Sequence, residues 1–249
     1  MSHFPCLLPL SLISLALLSG CSRPMTPSPQ LETSSGFSII GGESVPPDSP
    51  LQAHVASIVM FRDEDPNWLN VCTGTFLTPE ILLTAAHCVP EAGRNDLLRV
   101  YRSVDIWKDS VSLKVMGFIQ HKGYEPRKSY LNDLAVVRLE APQDGVKTVD
   151  YQRSVPSMPL TWKFLAVGYG RTSGRTSEID PSGGAGVLRS VELAADFYEP
   201  SIFYFKAQIS NKQGVCTGDS GGPALYSNVE YDRDWIQSAV TELQNRSVR

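Results

Sequence analysis

The feature that most constrains this chain is a series of nine short apolar segments, with no helical spacing until residue 232. They are "HVASIVMF" (54–61), "VCTGTFL" (71–77), "EILLT" (80–84), "LLRVY" (97–101), "VSLKVMGFI" (111–119), "LAVVRL" (134–139), "KFLAVGYG" (163–170), "LRSVELA" (188–194) and "IFYFKAQI" (202–209). Most are rich in β-branched and aromatic residues and bounded by Gly, Pro, Asn or Asp, which predicts strands. Many short strands with turn signals between them bury their apolar faces against one another, as a barrel or a sandwich. Residues 141–159 lack clear periodicity and read as a connector between two β units. The exception to the β pattern is "DRDWIQSAVTELQN" (232–245), where Trp235, Ile236, Ala239, Val240 and Leu243 fall at helical spacing. That stripe predicts a helix docked on the β body, with Asp232 or Asp234 as its cap.

Composition narrows the functional classes. The chain has 249 residues, 42% hydrophobic and 19% charged, with a formal net charge of −4. This is an ordinary globular balance, long enough for one domain or two small ones with a real core. The slight acidity and the lack of like-charge runs argue against a nucleic-acid partner, which calls for clustered Lys and Arg.

Residues 1–20 differ from the rest. "CLLPLSLISLALLSG" (Cys6 to Gly20) is uncharged, apolar and ends in small residues. It fits the apolar core of an export signal, although "MSHFP" carries no Lys or Arg. A buried helix fits poorly, because Pro5 and Pro9 interrupt the run. "LLSGC" ending at Cys21 resembles a bacterial lipobox, so the leader reads either as a plain secretory signal or as one that leaves a lipidated Cys21. The lipidated form would tether the chain to a membrane. Residues 21–38, rich in Pro, Ser and Thr, read as a tether or propeptide. The body then spans 39–249, a first β unit to about 145 and a second from about 146.

Five cysteines are present, with Cys6 and Cys21 in the leader and Cys72, Cys88 and Cys216 in the body. An exported chain meets an oxidising compartment, where three cysteines permit one bridge and leave one over. His54 and His121 stand outside any ligand cluster and are expected to be solvated or structural, so no metal or cofactor is implied.

Three further segments carry chemistry: "LLTAAHC" (82–88), "YLNDLAVVRL" (130–139) and "CTGDSGGP" (216–223). A serine hydroxyl is a poor nucleophile near neutral pH and needs an adjacent base, usually His. The imidazole needs a carboxylate that fixes its tautomer and stabilises its cation. Glycines around the Ser let the backbone turn tightly enough to aim N–H donors at an oxyanion. Singly, such a His is more often packed, such an Asp a turn residue, and "GDSGG" a flexible loop. Together they supply every part of one reaction, in the order His87, Asp133, Ser220 at separations of 46 and 87 positions.

On "TAAHC" and "GDSGGP" above all, the chain resembles the chymotrypsin/trypsin family of serine proteases, from Ile39 to the C-terminal helix. The resemblance implies an all-β fold of two antiparallel barrels. It implies His87 as general base, Asp133 as its orienting carboxylate, Ser220 as nucleophile, and the N–H groups of Gly218 and Ser220 as oxyanion hole. "IIGG" (39–42) looks like the family's new N-terminus after activation, with the Ile39 amine pairing with Asp219. Cys72 and Cys88 stand where the family has a disulfide. "AVGYGRT" and "LRSVEL" resemble strands early in the second barrel.

The chain also departs from the family. There, a strand hairpin with a Ser-Trp-Gly segment follows the nucleophile, pairs with substrate and walls the primary pocket. Here only 14 residues, Gly221 to Asp234, separate Ser220 from Trp235. One strand and a connector fit that length. The second barrel is therefore expected to be incomplete, with the gap around Leu225–Tyr226 and no partner for Cys216. Ser38, in place of Lys or Arg, precedes Ile39, so trypsin-like self-activation is not expected. Gly214 stands where the family sets pocket charge, so no acid is there to receive Lys or Arg.

The reading that follows is a monomeric, exported serine endopeptidase acting on proteins or peptides. Its rivals are a non-catalytic, protease-like surface binding protein and a truncated product that folds poorly.

Overall fold

The computed structural model describes residues 42–65, 69–91, 93–108, 111–126, 132–151, 163–172, 184–199, 202–205 and 232–246. Within them lie β1 (Glu43–Ser44), β2 (Val55–Phe61), β3 (Leu69–Thr78), β4 (Ile81–Thr84), β5 (Leu98–Tyr101), β6 (Val115–Gln120), β7 (Ala135–Leu139), β8 (Lys163–Gly168), β9 (Arg189–Glu199), β10 (Ile202–Phe205) and α1 (Arg233–Asn245). Each of the nine expected segments contains a strand. β1 is the addition; two residues show no period, and it is a strand because Glu43 and Ser44 pair with Ser190 and Arg189 of β9.

Six antiparallel strands form one sheet in the order β5-β2-β3-β4-β7-β6. Its two edges meet. Val100 of β5 and Leu113, just ahead of β6, exchange both backbone hydrogen bonds, at 2.7 and 3.3 Å. Such a pairing curls the sheet into a barrel and removes open edge there. Alternate residues then face in and out. Ala56, Ile58, Leu82, Ala135, Val137 and Leu139 fill the interior.

The outward faces are covered too, which is why these strands read as near-continuous apolar runs. Val55, Val59 and Val71 meet Val167, Tyr169 and Leu188 from the second half of the chain. Ile81, Leu83, Leu134 and Val136 meet Ile236, Ala239, Val240 and Leu243 of α1. The apolar stripe of the helix thus docks on the outside of β4 and β7. Burying a Val, Leu or Ile side chain is worth about 1.5–3 kcal/mol. Arg138 of β7 closes the helix C-terminus, donating from Nη1 to Leu243 O at 2.6 Å and Arg246 O at 2.9 Å. A cation there also complements the helix dipole. The N-terminus corrects one expectation: Asp232 occupies the cap position, but its side chain makes no capping bond. It is buried instead, 7% exposed, on the side of His121.

In the second sheet β9 is the hub. It pairs with β8 from Arg189 to Ala194, with β1 at its start, and turns back into β10 from Glu199. The structure joins the last two expected strands into this hairpin. Residues 206–209 of the expected final strand, and the proposed gap after the nucleophile, lie outside the described residues. Together the closed first barrel, the second sheet and the C-terminal helix make an all-β fold with one docked helix.

The joint between the two halves is polar as well as apolar. Tyr169 is fully buried; its N–H donates to Thr73 Oγ1 at 3.0 Å and its hydroxyl to Ser103 O at 2.9 Å. Ile106 N–H donates to Gly186 O at 3.0 Å, and Leu188 N–H to Val104 O at 2.7 Å. Gly186 has φ +88°, and a Cβ there would stand 2.7 Å from the Trp107 indole nitrogen, so only glycine fits.

Candidate active site

β4 ends at Thr84, and the chain enters the 3-10 turn Ala86–Cys88. The first N–H groups of such a turn have no partner within it. Here the Asp133 carboxylate supplies one. Its Oδ1 accepts from the His87 backbone N–H at 3.0 Å, and its Oδ2 lies 2.7 Å from His87 Nδ1. A carboxylate only accepts, so Nδ1 carries the proton and Nε2 is the basic nitrogen. Two contacts from one carboxylate fix the ring's tautomer and its position together. The Asp133 side chain is 14% exposed and that of His87 40%. The anion is sheltered, which strengthens the pair, while the imidazole reaches the surface.

Asp133 is aimed by a tight turn. Asn132 before it has φ +56°, in the left-handed region, and Leu134 N–H donates back to Asn132 O at 2.8 Å. Asn tolerates that conformation better than most residues. Leu134 then enters the core and β7 begins. Asn132 Nδ2 also donates to Gly123 O at 3.2 Å. A Cβ on Gly123 would stand 2.8 Å from that nitrogen, so the two turns are in direct contact. From the other side Gln120 of β6 donates through Nε2 to Ala86 O at 2.9 Å, holding the His87 turn against the barrel.

Cys72 of β3 and Cys88 form a disulfide, with Cα atoms 6.0 Å apart and a sequence separation of 16. Closing a loop of that length stabilises the fold by about 3 kcal/mol through the entropy of the unfolded chain. It also locks the residue after His87 to a central strand, and it belongs to an oxidising compartment. Donor atoms of Cys72, His87 and Cys88 lie within 4.8 Å of one another, but both sulfurs are consumed in the disulfide and are no thiolate ligands.

Of the residues singled out in the sequence, the structure brings His87 to Asp133 and Cys72 to Cys88. Ser220, Gly218, Asp219, Gly214, Cys216, Ile39 and Cys21 lie outside the described residues. His54 is half-buried, with Nδ1 unpartnered among the described residues. His121 is structural: its Nδ1 accepts from Gly123 N–H at 3.0 Å, and its ring packs against Trp235, centroids 4.7 Å apart. The sequence reading passed over Gln120 and Asn132. An Asn-Asp pair ahead of an apolar strand is a turn signal, and it marked Asn132; nothing local marks Gln120.

The family model described as Trypsin matches residues 39–238, from before β1 into α1. Trypsin beta of Drosophila erecta is 29% identical over 168 residues, covering 64% of this chain and 65% of its own length. Brachyurin of Leptuca pugilator is 31% identical over 207 residues, covering 78% of this chain and 84% of its own. Among solved structures, human heparin binding protein superposes with a TM-score of 0.64 at 17% identity, over 84% of this chain and 99% of that one. The backbone is thus similar where sequence similarity is slight, and the sequence match spans both halves of the fold. The chain belongs to the trypsin family of serine proteases.

Proposed function

We propose that the protein is a serine endopeptidase that hydrolyses peptide bonds through an acyl-enzyme on Ser220. The observation that carries this reading is the two-point grip of Asp133 on His87. That grip leaves Nε2 as the base and commits a sheltered anion to stabilising the imidazolium. In the proposed reaction Nε2 takes the Ser220 hydroxyl proton as Oγ attacks the peptide carbonyl. The N–H groups of Gly218 and Ser220 hold the oxyanion. The imidazolium returns the proton to the leaving amine, and water attacks the acyl-enzyme by the same route.

Activation is assigned to cleavage after Ser38, with the Ile39 amine pairing with Asp219. The apolar leader and the disulfide support export, and Cys21 is the candidate lipid anchor. With Gly214 in place of an acid, small or apolar side chains are the expected substrates before the cut. A second reading, a protease-like binding protein, is favoured by one observation: the 14 residues between Ser220 and Trp235 leave little length for a pocket wall and a partner for Cys216.

A fluorophosphonate probe tests the proposal. We expect it to label the folded protein at one site and to lose that site in Ser220→Ala. No labelling of folded protein overturns the catalytic reading. Labelling without cleavage of long peptides selects an enzyme impaired by the short segment.

A further inference from the structure

We propose that His121 is a positioning residue for Asp133, acting through the Gly123–Asn132 contact only while its imidazole is neutral. The proposal rests on reading Asp133 as the partner of the catalytic base, but it concerns a device that the reaction itself does not require.

The geometry is a relay of hydrogen bonds between two turns. His121 follows the last residue of β6, and its backbone N–H donates to Leu134 O at 2.9 Å, directly after Asp133. Its Nδ1 accepts from Gly123 N–H at 3.0 Å. The Gly123 carbonyl in turn accepts from Asn132 Nδ2, and Asn132 sets the left-handed bend that aims Asp133. Nδ1 accepts only while it is unprotonated. Imidazolium carries a hydrogen there that faces the Gly123 N–H, donor against donor. Protonation therefore opens the His121–Gly123 turn at the point where Asn132 rests on it.

Trp235 of α1 packs against the ring, and the charge of Asp232, buried at the start of the same helix, acts on it. In the turn itself Tyr124 donates its backbone N–H to His121 O at 3.0 Å, and its hydroxyl is held above its ordinary value by burial and then by the Asp133 charge. Burial holds His121 below the ordinary 6.5, and the Asp232 charge opposes that shift. Burial raises Asp232, and His121 opposes that in turn. The sign follows. The contribution of neutral His121 is complete above 6.5 and is lost as pH falls toward the lower folded value. The device thus loosens the His87–Asp133 pair in acid, separately from protonation of His87.

The test uses the full chain carrying Ser220→Ala, labelled with 15N-histidine, and follows the low-field Nδ1 proton of His87 by NMR from pH 8 to pH 4. We expect a step that follows the protonation of His121. His121→Asn keeps an acceptor where Nδ1 stood and cannot titrate, so it should retain the resonance at pH 8 and lose that step. Asp232→Asn removes the carboxylate that favours the cation, so the His121 step should move to lower pH. In the chain with Ser220 intact, His121→Leu should lower kcat by up to about 10²-fold with little change in KM, the range expected when a catalytic group is misplaced. A pH response in His121→Asn identical to that of the parent overturns the proposal. A His121-dependent step in a protein that no serine probe labels keeps this proposal while the catalytic reading falls. Labelled protein whose pair ignores His121 does the reverse.

Discussion

The first barrel and the second sheet satisfy their strand edges in different ways. The barrel closes on itself through Val100 and Leu113 and fills its own interior. Among the described residues the second sheet has no such closure; β9 gathers β8, β1 and β10 around it. Its apolar residues Val167 and Leu188 pack on the outer faces of Val55, Val59 and Val71. One half supplies its own core, and the other leans on it. The His87–Asp133 pair lies wholly in the self-sufficient half, between the ends of β4 and β6 and the start of β7. The base is therefore positioned by first-half contacts, with α1 packed against the same barrel from outside.

Four measurements would break or sharpen this contrast. Asp133→Asn should lower kcat on a peptide ester by about 10⁴-fold, the scale on which a wrong imidazole tautomer acts. Its urea midpoint should barely move, since an amide oxygen still accepts from the His87 N–H. A loss below tenfold would separate the pair from the chemistry. Leu243→Ala should cost about 2–5 kcal/mol in urea unfolding, because it empties the contact between α1 and the first barrel. A change under 0.5 kcal/mol, a surface effect, would make the helix an appendage and not part of the barrel.

Replacing Cys72 and Cys88 together by Ala should cost about 3 kcal/mol by the same measurement. Fluorescence reporting the second half should fall in the same transition, since that half leans on the barrel; a second half that outlasts it would reverse the contrast. Tyr169→Phe is the mildest test. Burial pushes the Tyr169 hydroxyl far above its ordinary value, so it stays a donor to Ser103 O across the working range of pH. Its removal should cost about 1 kcal/mol. A split into two unfolding transitions would show that this one bond couples the halves.

The strands were legible as short β-branched and aromatic runs bounded by turn residues, and the helix by its period. The stripe Ile236, Ala239, Val240, Leu243 names the buried face of α1 without reference to anything else in the chain. The paired roles of His87 and Asp133 were legible because nucleophilic chemistry admits few combinations of side chains. The register was not legible. β1 is a strand only because β9 lies beside it, and the same apolar run of β2 divides between two cores once neighbours occupy both faces.

The fine positioning of the site was equally out of reach. Gln120, Gly123 and Asn132 matter through contacts with residues 9 to 34 positions away. Asp232 reads as a helix cap on local grounds, yet in the fold it is buried on the His121 side. Local pattern, by itself, determined which segments are strands, where the helix turns its apolar face and which side chains share a reaction. The tertiary structure alone decided which carboxylate is sheltered and which imidazole nitrogen accepts a hydrogen bond. Those properties depend on what surrounds an atom, and an atom's surroundings come from chain distant in sequence.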